Sequence, residues 1–277
     1  MTELKKHFAV IGNPIHHSLS PQIHEAFAKE TGLHIDYEAV LSPLNQFKNT
    51  IHQLIAQKVS GANVTLPFKK EAYELASQHS NHARIAEAVN TFEFKENEII
   101  GHNTDGIGLV RDLEQNLNIN LKSAKILLIG AGGAAEGVIY SMLEKKPSEL
   151  ILTNRTIEKS NVIQNKMDVH AKSFDVNLNV IEIAKCSHQY FDLIINATSA
   201  SLSDDALHID PKVFHEGSLA YEMVYGKETF FIEQAQSQGS KTSDGLGMLV
   251  EQAAEAFFIW HHIKPQTKSV IESLRAL

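Results

Sequence analysis

The chain has 277 residues, of which 43% are hydrophobic and 21% are charged, a composition typical of a globular protein with two domains of ordinary size. The 25 basic and 33 acidic residues give a formal net charge of −8, which argues against nucleic acid or an anionic membrane as the main partner. A single cysteine, Cys186, excludes an internal disulfide, and no spacing of cysteine and histidine resembles a zinc site, so we expect no metal.

Strand and helix patterns alternate from the first residues, which predicts an α/β protein. The longest apolar runs have the length of a strand, and no apolar segment typical of a signal peptide opens the chain, so we expect a cytoplasmic protein. The first predicted strand, residues 7–11, leads into a loop with two serines. Ser20 before Pro21 is typical of a helix cap. Ser18 and Ser20 also follow the carboxyl end of a strand, where open α/β sheets bind ligands.

The segment 61–69 brings three polar side chains together. Asn63 and Thr65 are two residues apart in a predicted strand and therefore point to one side. Pro67 ends that strand, and Lys69 falls in the first turn of the next helix. This spacing is compatible with a ligand site and equally with a solvated surface lysine.

The next polar cluster, Asn103-Thr104-Asp105-Gly106, comes just before an apolar helical pattern. Position alone is compatible with Asp105 capping this helix or with a catalytic role. Because a nucleotide-binding pattern begins soon afterwards, we expect this helix to cross between two domains, with the boundary near residue 103.

A strand, a tight turn and a helix are predicted around the run Ile129-Gly130-Ala131-Gly132-Gly133-Ala134-Ala135. In the pattern G-x-G-x-x-A, Gly130 permits the turn, Gly132 lets the backbone approach a pyrophosphate, and Ala135 lets the helix pack on its strand. The phosphates would accept hydrogen bonds from free N–H groups at the positive end of the helix dipole.

The strand after this unit ends in Asn154-Arg155-Thr156. An acidic residue at this point would bind the ribose hydroxyls of NAD, whereas an arginine accommodates the 2′-phosphate of NADP. Arg155 with Thr156, and Lys159 one turn later, form a basic clamp for a phosphate monoester. The sequence therefore predicts NADP(H) as the cofactor.

The last third of the chain carries further polar positions. A strand ends in Asn196-Ala197-Thr198-Ser199, again a polar cluster at a carboxyl end. In the predicted strand 219–225, Met223 and Tyr225 are each compatible with a core position. The apolar helix that runs to Trp260 carries the isolated amide of Gln252, which needs hydrogen-bond partners if it is buried.

These motifs occur in order from end to end, and together the chain resembles the shikimate dehydrogenase family. The residues that carry the resemblance are Ser18-Leu19-Ser20-Pro21, Asn63-Val64-Thr65-x-Pro67-x-Lys69, Ala88-Val89-Asn90-Thr91, Asn103-Thr104-Asp105-Gly106, Gly130-Ala131-Gly132-Gly133-Ala134, Asn154-Arg155-Thr156, Asn196-Ala197-Thr198-Ser199 and Asp244-Gly245-x-Gly247-Met248-Leu249. The resemblance implies reversible NADPH-dependent reduction of 3-dehydroshikimate to shikimate in aromatic amino acid biosynthesis.

The resemblance also implies two α/β domains and assigns residues to them. A substrate domain with a mostly parallel sheet would comprise residues 1–103 and 238–277, and a Rossmann-type NADP-binding domain would comprise residues 104–237. The implied substrate-binding residues are Ser18, Ser20, Asn63, Thr65, Asn90, Asp105, Tyr225 and Gln252. Met223 and Gly247 would lie beside the nicotinamide, and Thr198 falls in a cofactor-binding motif. Two positions depart from the family pattern: Ser199-Ala200-Ser201 replaces Ser-x-Gly, and Glu222 replaces a common aspartate.

The residue types suggest how the proton moves. Hydride transfer to a ketone creates an alkoxide, which needs a proton and an electrostatic stabiliser. A charged Lys69 supplies both, and a neutral Lys69 accepts the proton in the reverse direction. Its place in the first turn of a helix favours the neutral form, while a nearby Asp105 favours the charged form. We therefore predict a pair of Lys69 and Asp105, with Lys69 as the acid/base.

Three alternatives stay open at this stage. The substrate is quinate instead of shikimate, or the protein binds NADP as a sensor without turnover, or it is a 2-hydroxy acid dehydrogenase. The last needs a catalytic histidine paired with a carboxylate, and position singles out no such histidine. We expect a small-molecule substrate as the main partner and either a monomer or a homodimer.

Overall fold

The computed structural model describes residues 5–96, 98–198 and 209–276. Its strands are β1 Lys6–Gly12, β2 Ile35–Leu41, β3 Gly61–Val64, β4 Gln78–His79, β5 Thr91–Lys95, β6 Glu98–His102, β7 Lys125–Ile129, β8 Glu149–Thr153, β9 Asn177–Val180, β10 Leu193–Asn196, β11 Leu219–Glu222 and β12 Lys241–Ser243. Its α-helices are α1 Ser20–Thr31, α2 Phe47–Ala56, α3 Lys69–Leu75, α4 Asn81–Ala86, α5 Asp105–Arg111, α6 Gly133–Glu144, α7 Ile157–Phe174, α8 Phe230–Ser237, α9 Leu246–His261 and α10 Lys268–Arg275.

The chain divides into two compact units. The first unit comprises Met1–Gly108 and Val250–Leu277, and the second comprises Leu109–Leu249. The sequence prediction had placed the two crossings at residues 103 and 238. The second crossing comes later in the structure because β12 pairs with β11 and so extends the sheet of the second unit. Helix α9 begins in the second unit and ends in the first.

The first unit is built on a mixed sheet with the strand order β2-β1-β3-β5-β6-β4 among the described residues. Strand β1 lies parallel to both of its neighbours, while β5 runs antiparallel to β3 and β6. Alternate residues of β1 face opposite sides, as the two-residue period of a strand requires. Ala9 and Ile11 join the core beneath α2 and α3, while Phe8 stacks on Trp260 of α9 with ring centroids 4.6 Å apart. Both faces of this sheet are therefore covered.

The second unit has a fully parallel sheet with the order β12-β11-β10-β7-β8-β9 among the described residues. Counted from β7, this is the doubly wound order 3-2-1-4-5-6 read in reverse. Residues 126–129, 150–152 and 193–195 are all buried, as expected of strands that are covered on both faces. Strand β8 pairs with one edge of β7, and β10, which comes later in the chain, pairs with its other edge. This switch point is where such sheets bind ligands.

Three local predictions need correction. Helix α1 begins at Ser20 itself, its cap is Leu19, and no side-chain cap bond is made, so Ser20 is not the predicted capping residue. The strand predicted over 219–225 ends at Glu222, which leaves Met223 and Tyr225 in the turn beyond its carboxyl end. The helix after Asp105 changes at Asp112–Asn116 into a π-helical turn.

Among the described residues, no helix is long and apolar enough to cross a membrane.

Candidate active site

The predicted pair of Lys69 and Asp105 is present in the first unit. The Lys69 Nζ atom lies 2.6 Å from Asp105 Oδ2, and the side chains are 26% and 10% exposed. Lys69 is the first residue of α3 and Asp105 is the first residue of α5, so two helix starts bring the two charges together. The two carboxylate oxygens of Asp105 accept hydrogen bonds from Lys69 and Asn90, and the Asp105 N–H donates to Asn103 Oδ1 at 3.1 Å.

Asn90 lies behind this pair and connects it to the rest of the polar cluster. Its Nδ2 atom donates to Asp105 Oδ1 at 2.9 Å and lies 3.3 Å from Gln252 Oε1. The same amide bonds Thr104 through both of its ends, because Nδ2 donates to Thr104 Oγ1 and Oδ1 accepts from the Thr104 N–H, each at 2.9 Å. Asn90 is only 3% exposed, so it holds the carboxylate of Asp105 in one orientation from the buried side.

Asn63 is held by bonds from three directions. Its Nδ2 atom donates to Thr91 Oγ1 at 3.0 Å and to the carbonyl oxygen of Asn90 at 3.3 Å. Its Oδ1 atom accepts a 2.6 Å hydrogen bond from the hydroxyl of Tyr37, which sequence reasoning did not include in the site. Burial raises the pKa of the Tyr37 hydroxyl well above its usual value, against a smaller opposing effect of its hydrogen bond to Ser20, so this group is a stable donor.

The serines and Thr65 follow strand ends at the same edge of the sheet, because β1 and β3 are adjacent parallel strands. Ser18 and Ser20 follow the carboxyl end of β1, while Asn63 and Thr65 lie at the carboxyl end of β3. The Ser18 Oγ atom accepts a hydrogen bond from the Ser20 N–H at 3.3 Å, and Ser20 is buried. The first unit thus gathers hydroxyls, amides, one cation and one carboxylate, a set that can bind a polyhydroxylated acid and move a proton to it.

The second unit presents the predicted glycine turn at the end of β7. Gly130 has φ +119, and a side chain there would press on the backbone of Ala197 at 3.1 Å, so glycine is required by the protein itself. At Gly132 and Gly133, by contrast, an added Cβ would meet no atom within 4 Å. Both residues are exposed, and Gly132 caps the 12-residue α6 without any side-chain bond. This open backbone fits the close approach of a pyrophosphate.

The predicted clamp lies at the end of the neighbouring strand β8. Arg155, Thr156 and Lys159 are exposed at the start of α7, and Asn154 Nδ2 bonds the Thr156 carbonyl at 2.9 Å, which shapes the turn. The Gly130 N–H donates to the Thr153 carbonyl at 2.8 Å, so the glycine turn and the clamp begin at hydrogen-bonded strand ends. Two basic side chains beside this open glycine turn fit the extra phosphate of NADP.

The segments after β10 and β11 carry the other predicted cofactor residues. Thr198 donates to Asn196 Oδ1 at 2.8 Å, and Asn196 Nδ2 donates to the buried carboxylate of Glu222 at 2.8 Å. Residues 199–208, which include the departure Ser199-Ala200-Ser201, lie outside the described part of the chain. Neither Asn196 nor Glu222 was among the predicted site residues, although Glu222 had been noted as a departure from the family pattern.

Three predicted positions follow strand ends of the second unit or sit at the start of α9. Met223 and Tyr225 are half-buried in the turn after β11, and burial raises the pKa of the Tyr225 hydroxyl. Tyr225 was predicted with the substrate residues, yet it belongs to the second unit, whereas Gln252 belongs to the first. At Gly247 a side chain would collide with the carboxylate of Asp112, so packing within the second unit already requires this glycine.

The fold and these two clusters are the arrangement expected of an NADP-dependent oxidoreductase. Three family models match the chain in order: the shikimate dehydrogenase substrate binding domain over residues 10–92, shikimate/quinate 5-dehydrogenase over 112–203, and the shikimate 5′-dehydrogenase C-terminal domain over 245–275. The chain belongs to the shikimate dehydrogenase family.

Individual relatives agree with this assignment over nearly the whole chain. The NADP(+) shikimate dehydrogenase of Legionella pneumophila (strain Lens) is 46% identical over 273 residues, which cover 98% of this chain and 99% of the relative. The crystal structure of an Ael1 enzyme from Pseudomonas putida matches with a TM-score of 0.92 at 41% identity and covers 98% of both chains. Shikimate 5-dehydrogenase from Thermus thermophilus, solved with NADP(H) and shikimate, matches with a TM-score of 0.86 at 30% identity and covers 98% of this chain and 99% of its own.

Proposed function

We propose that Lys69 is the acid/base of shikimate dehydrogenase chemistry in this chain and that Asp105 holds it in place. The reaction is the reversible reduction of 3-dehydroshikimate to shikimate, in which bound NADPH supplies the hydride. In this direction Lys69 Nζ gives a proton to the developing alkoxide, and its positive charge stabilises that oxygen. The observation that carries the proposal is the 2.6 Å contact of Lys69 with a carboxylate whose other oxygen is fixed by Asn90.

The substrate ring would be held by the polar side chains around this pair. Hydroxyls and amides suit the ring hydroxyls, and the hydroxyls of two serines near the start of α1 suit the carboxylate. The residues proposed to contact the substrate are Ser18, Ser20, Asn63, Thr65, Asn90, Asp105, Tyr225 and Gln252. Because Asn63 and Asn90 already bond neighbouring protein groups, their main part in binding would be to hold donors and acceptors at fixed positions.

The cofactor would be bound by the second unit in three parts. The open turn would take the pyrophosphate, the basic clamp would take the 2′-phosphate, and the segments after β10, β11 and β12 would flank the nicotinamide. The residues proposed for these contacts are Gly130, Ala131, Gly132, Gly133, Ala134, Asn154, Arg155, Thr156, Lys159, Thr198, Met223 and Gly247. In the clamp, Arg155 would supply the planar guanidinium that binds a phosphate with two parallel hydrogen bonds.

Substitution of Lys69 tests the acid/base role. Lys69→Ala should lower kcat for shikimate oxidation by about 10²- to 10⁴-fold, the usual contribution of a general acid/base, while the Kd for NADPH measured by its fluorescence stays unchanged. Lys70→Ala is the matched control, since Lys70 is the next residue of the same helix and is exposed. Wild-type turnover in Lys69→Ala, with normal NADPH binding, would refute the role.

The choice of cofactor and substrate is tested in one assay at 340 nm. Wild-type protein should turn over shikimate with NADP and prefer NADP to NAD, and Arg155→Ala should reduce that preference by about tenfold or more, since a charge-assisted bond is worth roughly 1.5–3 kcal/mol. Arg84→Ala, which removes an exposed arginine of the first unit, serves as the control. An unchanged preference in Arg155→Ala would remove the clamp from the proposal.

Quinate is the second candidate substrate, because one matching family model is described as shikimate/quinate 5-dehydrogenase. Turnover of quinate at a rate close to that of shikimate would broaden the assignment. We further expect a cytoplasmic enzyme that binds no nucleic acid and is a monomer or a homodimer, which light scattering coupled to size-exclusion chromatography distinguishes.

A further inference from the structure

Glu222 is a fully buried carboxylate at the carboxyl end of β11. It is 0% exposed, and it sits directly opposite Asn196, its partner in the neighbouring strand β10. A buried charge is costly unless hydrogen bonds satisfy it, so its partners show what it organises.

The bonds of Glu222 reach two of the three strand-end segments proposed to flank the nicotinamide, those after β10 and β11. Its Oε2 atom accepts from Asn196 Nδ2 at 2.8 Å, and Asn196 Oδ1 accepts from the N–H and the hydroxyl of Thr198 at 3.1 and 2.8 Å. Its Oε1 atom accepts from the Val224 N–H at 3.2 Å. Met223, which lies between Glu222 and Val224, donates its N–H to the Asn196 carbonyl at 3.0 Å.

A third bond connects Glu222 to the helix that follows. Thr229 donates its hydroxyl to Oε2 at 3.2 Å, and the same Thr229 oxygen accepts the Ile232 N–H as the cap of α8. The turn from Met223 to Thr229 is therefore attached to the carboxylate near both of its ends.

The polarity of this arrangement depends on the carboxylate. Ionised Glu222 only accepts hydrogen bonds, so the amide of Asn196 must turn its NH₂ toward Glu222 and its oxygen toward Thr198. In Glu222→Gln, the side-chain NH₂ group would face groups that are themselves hydrogen-bond donors. The orientation of the Asn196 amide would then no longer be fixed.

We propose that Glu222 is a positioning residue, which fixes Thr198 and Met223 at the nicotinamide side of the cofactor site. The inference rests on the proposed cofactor roles of those two residues. The adenosine side of the cofactor would depend on the glycine turn after β7 and on Arg155 after β8, whereas the bonds of Glu222 named above lead to the segments after β10 and β11. Loss of Glu222 should therefore change hydride transfer more than cofactor affinity.

Substitution to an isosteric amide tests this inference. Glu222→Gln should lower kcat by about tenfold or more, since small misplacements of reacting groups have large kinetic effects, while the Kd for NADPH changes by less than about threefold. The primary isotope effect with NADPH deuterated at the transferred position should rise, because hydride transfer becomes more rate-limiting. Glu228→Gln, an exposed position in the same turn, is the matched control and should leave kcat and the isotope effect unchanged.

Exchange of the two polar groups gives a sharper test. In Glu222→Gln combined with Asn196→Asp, the amide donor and carboxylate acceptor swap sides, and the new carboxylate can still accept from Thr198. We expect the double variant to recover kcat to within about threefold of wild type, whereas either single variant stays impaired.

Wild-type kcat and isotope effect in Glu222→Gln would overturn the inference, and so would a folded double variant as impaired as the single one. If Glu222→Gln does not fold, Asn196→Ala breaks the connection between Glu222 and Thr198 instead, and a normal kcat and isotope effect in that variant would be equally decisive. Failure of the proposed function itself would show differently, as absence of turnover in the wild-type protein.

Discussion

Removal of the Tyr37 hydroxyl should weaken both the first unit and its affinity for shikimate. Tyr37→Phe deletes one oxygen atom and with it the 2.6 Å hydrogen bond to Asn63 Oδ1. Asn63 is 5% exposed, so its oxygen loses a partner that solvent does not readily replace. Leaving a buried acceptor without its donor costs about 1–3 kcal/mol in the free energy of unfolding.

The stability effect is measured by thermal unfolding. A loss of 1 kcal/mol lowers Tm by about 2–4 °C in a protein of this size class, so we expect a decrease of about 2–12 °C. Tyr190→Phe provides the control, because the Tyr190 side chain is 75% exposed and removal of its hydroxyl should leave Tm unchanged.

The kinetic effect follows from the freedom that Asn63 gains. Without the Tyr37 hydroxyl, the amide keeps the bonds of its Nδ2 atom to Thr91 and Asn90 but loses its short bond at Oδ1, and the KM for shikimate should rise about tenfold if about 1.4 kcal/mol of binding energy is lost. The KM for NADP should not change, since these residues belong to the first unit. An unaltered KM for shikimate together with an unaltered Tm would refute the reasoning.

Three further results are expected. Gly132→Ala should fold with wild-type Tm, because the added Cβ meets no protein atom within 4 Å. It should bind NADPH at least about tenfold more weakly by fluorescence titration, and equal affinity would contradict the proposed pyrophosphate site. Gly247→Ala should lower the free energy of unfolding by about 1–3 kcal/mol in urea, since its side chain overlaps the Asp112 carboxylate, and an unchanged unfolding midpoint would show that the packing relaxes freely. Burial lowers the pKa of His24 to about 3 and that of His261 to about 4. Below about pH 6.5 the unfolded chain therefore binds more protons than the folded protein, and the free energy of unfolding should fall as the pH decreases, by up to about 1.4 kcal/mol per pH unit from His24. His24→Leu should make the urea midpoint less dependent on pH between 6.5 and 5, and an equally steep dependence would exclude His24 as its source.

Local patterns predicted much of the architecture. Apolar runs of strand length followed by glycine or polar residues predicted β7 and β8, and both are buried strands of a parallel sheet. The pairing of Lys69 with Asp105 was also predicted, from the family resemblance together with the residue types, and the two side chains are paired at 2.6 Å. The predictions that were wrong concern helix and strand ends: Ser20 is not a cap, and β11 stops at Glu222 rather than at residue 225.

The sequence by itself determined the class of fold and the glycine turn after β7, and it predicted the basic clamp after β8, because these depend on residues close together along the chain. Only the tertiary structure showed that Tyr37 bonds Asn63, that Asp112 requires glycine at 247, and that Glu222 joins two strand-end segments. Each of these contacts joins residues far apart in sequence, and none has a periodicity or motif of its own. Strand order decides the contact of Glu222 with Asn196, since β10 and β11 are adjacent parallel strands. Tyr37 and Asn63 lie on strands separated by β1, and Asp112 and Gly247 lie on helical segments, so these two contacts are set by packing of the whole unit.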